Sequence, residues 1–421
     1  MRTVKNRSRI NDYLRSYSFV GSLRSLFSDY ESFQTKVDFL EIGEKKIPKY
    51  TNEFWTSKQR QASSLHEIAY RACFKPQLPR FFINLLTKTG DNVYDPFSGR
   101  GTTVIEAGIL GRNIISNDIN PLSQVLCSPR FFVPNLQQVL TRIKNINIDY
   151  NSRADIDISM FYHQKTEAEI VSLKKYFQNL AARNKSDHID KWINMAATNK
   201  LTGHSPGFFS VYTLPPNQAA SQKSQIRINE KKKQRPEYRN VKEIILKKTL
   251  SLTRNLNISE KNNLSNSGKK AVFLCEDSGN THKIKSHSVQ LTVTSPPFLD
   301  IVSYRQDNWL RCWFNDINAR EISNKMSISK TVEDWSNSMG RVFGELFRIT
   351  KKGGWVAFEV GEVRNGSINL DEFVIPLGVS SGFECEGVLI NQQSFTKTSN
   401  IWGVKNNSRG TNTNRIVLFH K

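Results

Sequence analysis

Few features of this sequence are those of a metal-binding, disulfide-bonded or membrane-spanning protein. Its 421 residues include five scattered cysteines, none in a CxxC pair, so we expect neither a zinc site nor a disulfide framework. Its longest apolar runs, such as residues 81–86, are far shorter than a bilayer span. We therefore expect a cytoplasmic protein with no bound metal and no membrane partner.

Acidic residues are also scarce. Asp and Glu number 38 against 60 Lys and Arg, which gives a formal net charge of +22. A surplus of this size favours a polyanionic partner such as nucleic acid, because Lys and Arg release the counterions condensed on phosphates. A merely solubilising surface is the alternative. A hydrophobic fraction of 38% is typical of a folded protein, and the length favours two lobes or one domain with a large insertion.

Composition divides the chain into four regions. Residues 1–50 form a basic N-terminal extension, and residues 51–148 alternate strand-like and helix-like segments in a βαβ rhythm. Residues 149–270 break the rhythm and include a very basic stretch and a polar run over 255–270 that we expect to be a linker. Strand–helix alternation resumes over residues 271–421. The simplest topology is one α/β domain interrupted by a basic insert.

The first motif, DPFSGRGTT (residues 95–103), follows a predicted strand and opens a predicted helix. Glycines in such a turn allow a ligand to approach the backbone at a helix N-terminus. The spacing is GxG and no GK[ST] follows, which disfavours a phosphate-binding P-loop. Asp118 ends the next predicted strand, where a carboxylate can accept hydrogen bonds from ribose hydroxyls. Together these features indicate a cofactor that carries a nucleoside.

The second motif, TSPPF (residues 294–298), also ends an apolar strand. Its two prolines remove two backbone donors and leave the carbonyls as acceptors in a rigid frame. Ser295 adds a hydroxyl and Phe298 a flat apolar ring, so the loop suits a planar group that carries an NH₂. A tight Pro-Pro turn that only ends a strand is the structural alternative.

Taken as a set, DPFSGRGTT, NDINP (residues 117–121) and TSPPF resemble motifs I, II and IV of the amino-group DNA methyltransferases that use S-adenosylmethionine. The SPP form resembles the cytosine-N4 branch, whereas the adenine-N6 branch usually has Asp or Asn where Ser295 stands. Phe298 replaces the more usual Tyr. The resemblance covers residues 51–148 and 271–421 and implies a Rossmann-like methyltransferase fold with a mostly parallel twisted sheet.

The resemblance also implies roles for individual residues. The catalytic positions would be Ser295, Pro296, Pro297 and Phe298. The cofactor would be bound by Asp95, Phe97, Gly99, Gly101, Thr102, Asp118, Asp277, Lys75 and Pro76. Asp277 falls at the motif III candidate, and the stretch that contains Lys75 resembles motif X. One departure is that the large insert precedes motif III, while in the nearest standard order the recognition region lies between motifs III and IV.

The implied reaction is direct transfer of the methyl group to the exocyclic amine of a flipped base. No Pro-Cys dipeptide is present, which disfavours the covalent mechanism of C5-cytosine methyltransferases. Ser295 and the Pro296 carbonyl would accept from the amine, and Phe298 would stack on the base. The resemblance makes a restriction-modification system the default setting, with double-stranded DNA as partner and a possible cognate endonuclease that acts separately. We expect a monomer.

The basic part of the insert is the candidate DNA-binding surface. Phosphate contacts fix the register of a protein on DNA without reading its sequence, and a solvated run of charge is the alternative. The residues proposed for these contacts are Lys231, Lys232, Lys233, Arg235 and Arg239.

Three other functions stay open. Adenine-N6 methylation of DNA uses the same chemistry, and so does methylation of an amine in RNA, although we find no RNA-binding module in the sequence. A DNA-binding module that has lost catalysis is the third alternative, and S-adenosylmethionine binding would distinguish it from an enzyme.

Overall fold

The computed structural model describes residues 7–18, 34–55, 62–71, 73–213, 219–297, 304–325, 331–363, 368–391 and 414–421. The strands within these ranges are β1 (Lys36–Ile42), β2 (Lys45–Asn52), β3 (Asn92–Asp95), β4 (Asn113–Asn117), β5 (Val272–Leu274), β6 (Val289–Thr294), β7 (Thr350–Val360), β8 (Glu362–Val363), β9 (Ile368–Asn369), β10 (Glu384–Asn391) and β11 (Asn414–His420).

The helices in the same ranges are α1 (Arg7–Arg15), α2 (Gln77–Leu86), α3 (Thr102–Ile109), α4 (Leu122–Cys127), α5 (Leu136–Asn145), α6 (Gln164–Ala182), α7 (His188–Lys200), α8 (Gln222–Lys232), α9 (Val241–Thr253), α10 (Ile258–Gly268), α11 (Tyr304–Phe314), α12 (Ala319–Lys325), α13 (Val332–Ile349) and α14 (Leu370–Ser380). None of these helices is long and apolar enough to cross a membrane.

Nine strands form one mixed, mostly parallel sheet in the order β1-β2-β10-β11-β7-β6-β3-β4-β5. The pairs from β7 through β6, β3 and β4 to β5 are parallel, and β11 runs antiparallel to both β7 and β10. Central strand β6 is buried along almost all its length, as expected when helices cover both faces. The predicted α/β fold is confirmed.

The strand order reverses between β3 and β6. From β3 the chain builds outward through β4 and β5, and it then returns to the other side of β3 to form β6 and β7. In open parallel sheets, ligands bind outside the carboxyl ends of the strands at such a switch point. Both sequence motifs follow the strands that flank this point, because DPFSGRGTT begins at the end of β3 and TSPPF at the end of β6.

Residues 36–52 belong to the same sheet although they fall in the basic N-terminal region of the sequence. Strand β2 pairs in parallel with β10, and β1 pairs antiparallel with β2 at the sheet edge. Helix α1 contributes Ile10 and Leu14, both fully buried, to the main hydrophobic core. No residue of β1 is fully buried, as is typical of an edge strand.

The insert lies in the connection from β4 to β5. The linker expected over residues 255–270 is wrong, because α10 occupies most of this run. Its residue Leu264 is fully buried, and a Cβ added at Gly108 of α3 would lie 3.1 Å from Leu264 Cδ2. One apolar anchor and the capping box of Asn257 and Glu260 are enough to fold a polar sequence as a helix against α3.

Candidate active site at the carboxyl edge of the sheet

The two motif loops meet at the switch point through side-chain hydrogen bonds. Thr294, the last residue of β6, donates from Oγ1 to Asp95 Oδ1 at 2.7 Å, and Asp95 is the last residue of β3. Thr103 in α3 donates to the carbonyl of Val293 at 3.0 Å. The TSPPF loop therefore begins in direct contact with the DPFSGRGTT loop.

Asp95 is the buried carboxyl at the centre of this contact. Its side chain also accepts from the Phe97 N–H at 3.2 Å, and only 1% of the residue is exposed. Burial disfavours the charged form and raises the pKa of Asp95 to about 7, although the Thr294 hydroxyl and the Phe97 N–H both oppose this shift. The link between the two loops thus contains a group that titrates near neutral pH.

The glycine loop takes a conformation that side chains rarely permit. Gly99 and Gly101 have φ values of 50° and 79°. A Cβ at Gly101 would lie 2.4 Å from Cys127 Sγ, and a Cβ at Gly99 would lie 3.3 Å from the Tyr70 ring. Gly101 is also the N-cap of α3 and provides no side-chain cap. Glycine is therefore needed at both positions, because the left-handed turn and the close packing of Cys127 and Tyr70 leave little room for a side chain.

Asp118 lies beside this loop, directly after β4. Its Oδ2 accepts from the Gly99 N–H at 2.8 Å and its Oδ1 accepts from the Asn120 N–H at 2.9 Å. Burial raises the pKa of Asp118 to about 6, while the two N–H groups lower it. Each carboxylate oxygen has a second lone pair, so the group can accept hydrogen bonds from two ribose hydroxyls without losing its backbone contacts.

A cavity of about 380 Å³ opens next to the Asp118 loop. Ile119 and Pro121 line one part of it, and Cys275 after β5 lines another. Residues 316–322, around the start of α12, supply the remaining wall. The cavity therefore adjoins the ends of two neighbouring parallel strands and has both apolar and polar walls, which suits a flat nucleobase.

Asn117 connects the glycine loop to the loop after β5. Its Nδ2 donates to the carbonyls of Pro96 at 3.3 Å and Glu276 at 3.0 Å. The Ser278 hydroxyl donates to the same Pro96 carbonyl at 2.8 Å. Asp277 lies between these contacts in the sequence, but its exposed side chain accepts from Arg341 Nη1 at 3.0 Å on α13. The backbone around Asp277 thus belongs to the site, while its carboxylate is paired with Arg341.

The TSPP loop has one half-buried hydroxyl and one anchored carbonyl. Ser295 is half-buried and Pro296 is buried, and the Pro297 carbonyl accepts from Trp335 Nε1 at 3.0 Å. No hydrogen bond joins the Ser295 hydroxyl to another described residue. Phe298, the expected base-stacking residue, lies outside the described residues.

Two buried arginines stabilise the segment over residues 65–68, which precedes the glycine loop in the sequence. Arg100 Nη1 donates to the Ile68 carbonyl at 2.9 Å, and Arg130 Nη1 donates to the Leu65 carbonyl at 3.0 Å. Arg130 also donates to the Arg100 carbonyl, and burial lowers the pKa of Arg130 to about 10. These contacts fix the path of the segment and hold Tyr70 over Gly99.

The motif X candidate lies close to this cluster. Lys75 is half-buried, and burial together with the nearby charge of Arg100 lowers its pKa. Pro76 is buried and forms the N-cap of α2. Lys75 therefore lies within electrostatic range of Arg100 in the glycine loop, and the cofactor-binding roles of Lys75 and Pro76 stay predictions.

The candidate DNA-binding residues are on the insert and not at the sheet edge. Lys231 and Lys232 end α8, Lys233 is its left-handed C-cap, and all three are exposed, as is Arg235. Lys232 Nζ lies 4.2 Å from the centre of the Tyr212 ring. Arg239 differs, because its Nη1 donates to the backbone carbonyls of residues 205, 208 and 210. Its guanidinium thus holds the loop over residues 205–210.

Several residues that shape the site were not predicted from the sequence. Thr294 and Asn117 lie inside the recognised motifs, and their position at strand ends next to polar loops was the available signal. Trp335, Tyr70 and Arg130 are distant in sequence from the loops that they contact. No local pattern marks such residues, because only the folded sheet brings them to the site.

Comparison with known proteins agrees with the motifs. Residues 12–123 match the family model N6_N4_Mtase, described as DNA methylase. This stretch contains the glycine loop and Asp118 and ends before the TSPPF loop. It supports a resemblance to the amino-group DNA methylases that act at N6 or N4, and it does not separate the two branches.

Curated relatives match over short stretches. Type II methyltransferase M.MjaII of Methanocaldococcus jannaschii is 27% identical over 105 residues, which is 24% of this chain and 20% of that protein. The tRNA (guanine(10)-N2)-dimethyltransferase of the same organism is 31% identical over 120 residues, which is 26% of this chain and 33% of that protein. The chain thus spans a third or less of the length of these relatives.

A solved structure with a partial likeness is TTHA0409 of Thermus thermophilus, described as a putative DNA modification methylase complexed with S-adenosyl-L-methionine. It is 20% identical, covers 34% of this chain and 53% of its own, and gives a TM-score of 0.22. A likeness this low carries no argument about activity.

Proposed function

We propose that this chain transfers a methyl group from S-adenosylmethionine to the exocyclic N4 amine of cytosine in double-stranded DNA. The observation that carries the proposal is the 2.7 Å hydrogen bond from Thr294 to Asp95. This bond holds the TSPPF loop, which suits a planar amine, against the DPFSGRGTT loop, which suits a nucleoside. Donor and acceptor of the methyl group would therefore meet at one edge of the sheet.

The residues around the glycine loop fit S-adenosylmethionine. Glycine at positions 99 and 101 gives the loop its left-handed turn, and Asp118, which this turn holds through the Gly99 N–H, offers further lone pairs to ribose hydroxyls. The adenosine part would extend from Asp118 toward the cavity beside Ile119. The full set that we propose for the cofactor is Asp95, Phe97, Gly99, Gly101, Thr102, Asp118, Asp277, Lys75 and Pro76.

Asp95 and Thr102 would act by shaping the loop, because both are buried. Lys75, Pro76 and Phe97 would flank the methionine part, and the segment around Asp277 would lie near the adenine. When bound, the cofactor supplies a methyl group on a positively charged sulfur, which is the electrophile of the reaction.

The catalytic residues would position the amine. Ser295 Oγ and the Pro296 carbonyl would each accept one amine proton, which turns the nitrogen lone pair toward the methyl group. The amine nitrogen would bond to the methyl carbon as the carbon–sulfur bond breaks, and the proton that the nitrogen loses would pass to bulk water. Phe298 would hold the flipped base by stacking, with Pro297 fixing the direction of the loop.

Ser295 is the reason to favour cytosine over adenine. Its short neutral hydroxyl replaces the Asp or Asn usual in the N6 branch that the sequence resembles. The proposal for N4 therefore depends on one position, whereas the proposal for an amino-methyltransferase depends on both loops.

The exposed charges of the insert would bind the DNA backbone. Lys231, Lys232, Lys233 and Arg235 lie together at the end of α8 and beyond it, where they can contact successive phosphates. We leave Arg239 out of this set because it already donates to carbonyls of residues 205, 208 and 210. In this proposal residues 51–148 and 271–421 form the catalytic domain and residues 149–270 recognise the target.

The biological setting is also part of the proposal. M.MjaII, one of the relatives, is a type II methyltransferase, which supports a restriction-modification system with a separate endonuclease. We propose that the protein acts as a monomer on each strand in turn. The tRNA dimethyltransferase among the relatives makes an RNA amine the second candidate substrate.

The test is methyl transfer by the purified full chain. Labelled S-adenosylmethionine is incubated with duplex plasmid DNA from a methylation-free host and, separately, with bulk tRNA and ribosomal RNA. We expect label in DNA only, and labelling by Ser295→Ala that is slower by about 100-fold or more. Label in RNA alone would overturn the DNA proposal. No label in either nucleic acid would favour a DNA-binding module without catalytic activity. A protein that binds S-adenosylmethionine should be stabilised against unfolding by about 2.7 kcal/mol at 100 times the Kd. The absence of a thermal shift with this ligand would therefore confirm the inactive module.

A further inference from the structure

The TSPP loop cannot be held by its own backbone donors. Pro296 and Pro297 have no N–H, so the loop offers mainly carbonyl acceptors, and its position depends on donors from elsewhere in the fold. Trp335 supplies such a donor, because its Nε1 donates to the Pro297 carbonyl. On the other side of the loop, Thr294 Oγ1 donates to Asp95.

Trp335 is a rigid donor. It lies in the first turn of α13, whose N-cap Thr331 accepts from the Asp334 N–H at 3.1 Å. Only 3% of Trp335 is exposed, and its ring belongs to the second hydrophobic cluster together with Val332 and Met339. An indole N–H can only donate, and a buried one requires an acceptor. The 3.0 Å bond to Pro297 satisfies that requirement.

The bond fixes the peptide group that follows Pro297. Because its carbonyl oxygen accepts from Trp335 Nε1, rotation of this peptide plane would cost a buried hydrogen bond. The acceptors that lie between the two anchors belong to Ser295 and Pro296. No described residue forms a hydrogen bond with the Ser295 hydroxyl or with the Pro296 carbonyl, which leaves both for a ligand.

We propose that Trp335 is a positioning residue for methyl transfer. It occupies the Pro297 carbonyl so that the Pro296 carbonyl and the Ser295 hydroxyl receive the amine. The inference rests on the proposed function for its chemistry, while the anchoring of the loop stands on the hydrogen bonds alone.

The test uses Trp335→Phe, which keeps a buried aromatic ring and removes the donor. Trp192→Phe is the matched control, because Trp192 of α7 is fully buried and donates from Nε1 to Thr249 Oγ1 of α9 at 3.1 Å, outside the loop. Trp335→Phe should lower the single-turnover rate of methyl transfer by about 10- to 100-fold. Its Kd for S-adenosylmethionine should change less than twofold. Trp192→Phe should leave both values within twofold of the wild type.

A double variant tests whether both anchors act on the same loop. Thr294→Val removes the other anchor, and the combined variant should lose less rate than the product of the two single losses, because a loop released at one end is no longer held by the other anchor. Losses that simply multiply would contradict a shared loop. An unchanged rate in Trp335→Phe would overturn the positioning role.

Hydrogen–deuterium exchange separates this inference from the proposed function. The peptide over residues 292–303 should exchange faster in Trp335→Phe than in the wild type or Trp192→Phe, whether or not the protein methylates any substrate. If the wild type transfers no methyl group but the exchange difference is found, the proposed function fails and the anchor stands. Equal exchange in all three proteins would overturn the anchor itself.

Discussion

The carboxyl edge of the sheet and the basic end of α8 hold their polar groups in opposite ways. At the sheet edge Asp95, Asn117 and Asp118 are bonded to backbone or side chains of neighbouring loops. At the end of α8 the charged groups of Lys231, Lys233 and Arg235 are exposed. The first arrangement fixes atoms in place for chemistry, and the second supplies charge without fixed geometry. A single substitution at the sheet edge should therefore remove one defined contact and impair the chemistry, whereas substitutions at the end of α8 should weaken DNA binding in proportion to the charge removed.

The largest effect is expected at Ser295. Ser295→Ala removes one of two acceptors for the amine, and the methyl-transfer rate should fall about 10²- to 10³-fold, as for other single positioned groups. The Kd for S-adenosylmethionine, measured by calorimetry, should change less than twofold because the cofactor contacts lie on the other loop. A collapse of cofactor binding would contradict this division between the loops.

Asp95 should make stability depend on pH. Its pKa of about 7 in the native protein exceeds that of an unfolded Asp, so the native state retains a proton that the unfolded chain releases. Relative to Asp95→Asn, the free energy of unfolding of the wild type should fall by roughly 2–4 kcal/mol as pH rises from 4 to 7. Urea unfolding at several pH values measures this difference.

The same urea experiment on Asp118→Asn should show a smaller dependence of stability on pH. Its pKa of about 6 predicts that the fall relative to Asp118→Asn is smaller and levels off at about pH 7, once the native-state carboxyl has lost its proton. Curves for the two variants that run parallel to the wild type would show that neither carboxyl retains its proton in the native state.

Gly101→Ala tests how tightly the glycine loop is packed. The new Cβ would lie 2.4 Å from Cys127 Sγ at a φ of 79°, so crowding and a left-handed backbone should together lower stability by about 2–3 kcal/mol. Gly344→Ala in α13 is the control, because a Cβ there meets nothing within 4 Å and helix propensity favours Ala. Urea unfolding of both variants should show a loss only for Gly101→Ala.

The smallest effect on the protein itself is expected on the insert. Replacing Lys231, Lys233 and Arg235 with Gln should leave stability within about 0.5 kcal/mol. DNA affinity should fall for all sequences alike, and the slope of log K against log salt should decrease by about 3. Arg239→Gln is the contrasting variant, and it should lower stability and leave the salt slope unchanged. An unchanged salt slope in the triple variant would contradict the proposal that these side chains contact DNA phosphates.

Much of the central sheet could be predicted from sequence because its signals are local. The strand before DPFSGRGTT, the helix that this motif opens and the strand before Asp118 were predicted from short apolar runs between Gly-rich turns, and they correspond to β3, α3 and β4. Asp118 and Ser295 could be named for the same reason. The roles proposed for these side chains remain predictions.

The missed features depend on long-range packing. Residues 36–52 join the sheet because β10 and β11, near the other end of the chain, present an edge for β2. Helix α10 forms in a polar run because Leu264 packs against α3. Trp335 donates to Pro297, which is 38 residues away in the sequence. No window of sequence contains both partners of these contacts.

Nucleoside mass spectrometry tests the central claim most directly. Plasmid DNA is taken from a methylation-free host that expresses either the wild type or Ser295→Ala. We expect N4-methylcytosine with the wild type and little or none with the variant. N6-methyladenine would contradict the assignment of Ser295 to cytosine, and DNA without any modified base would contradict the proposal that this sheet edge methylates DNA.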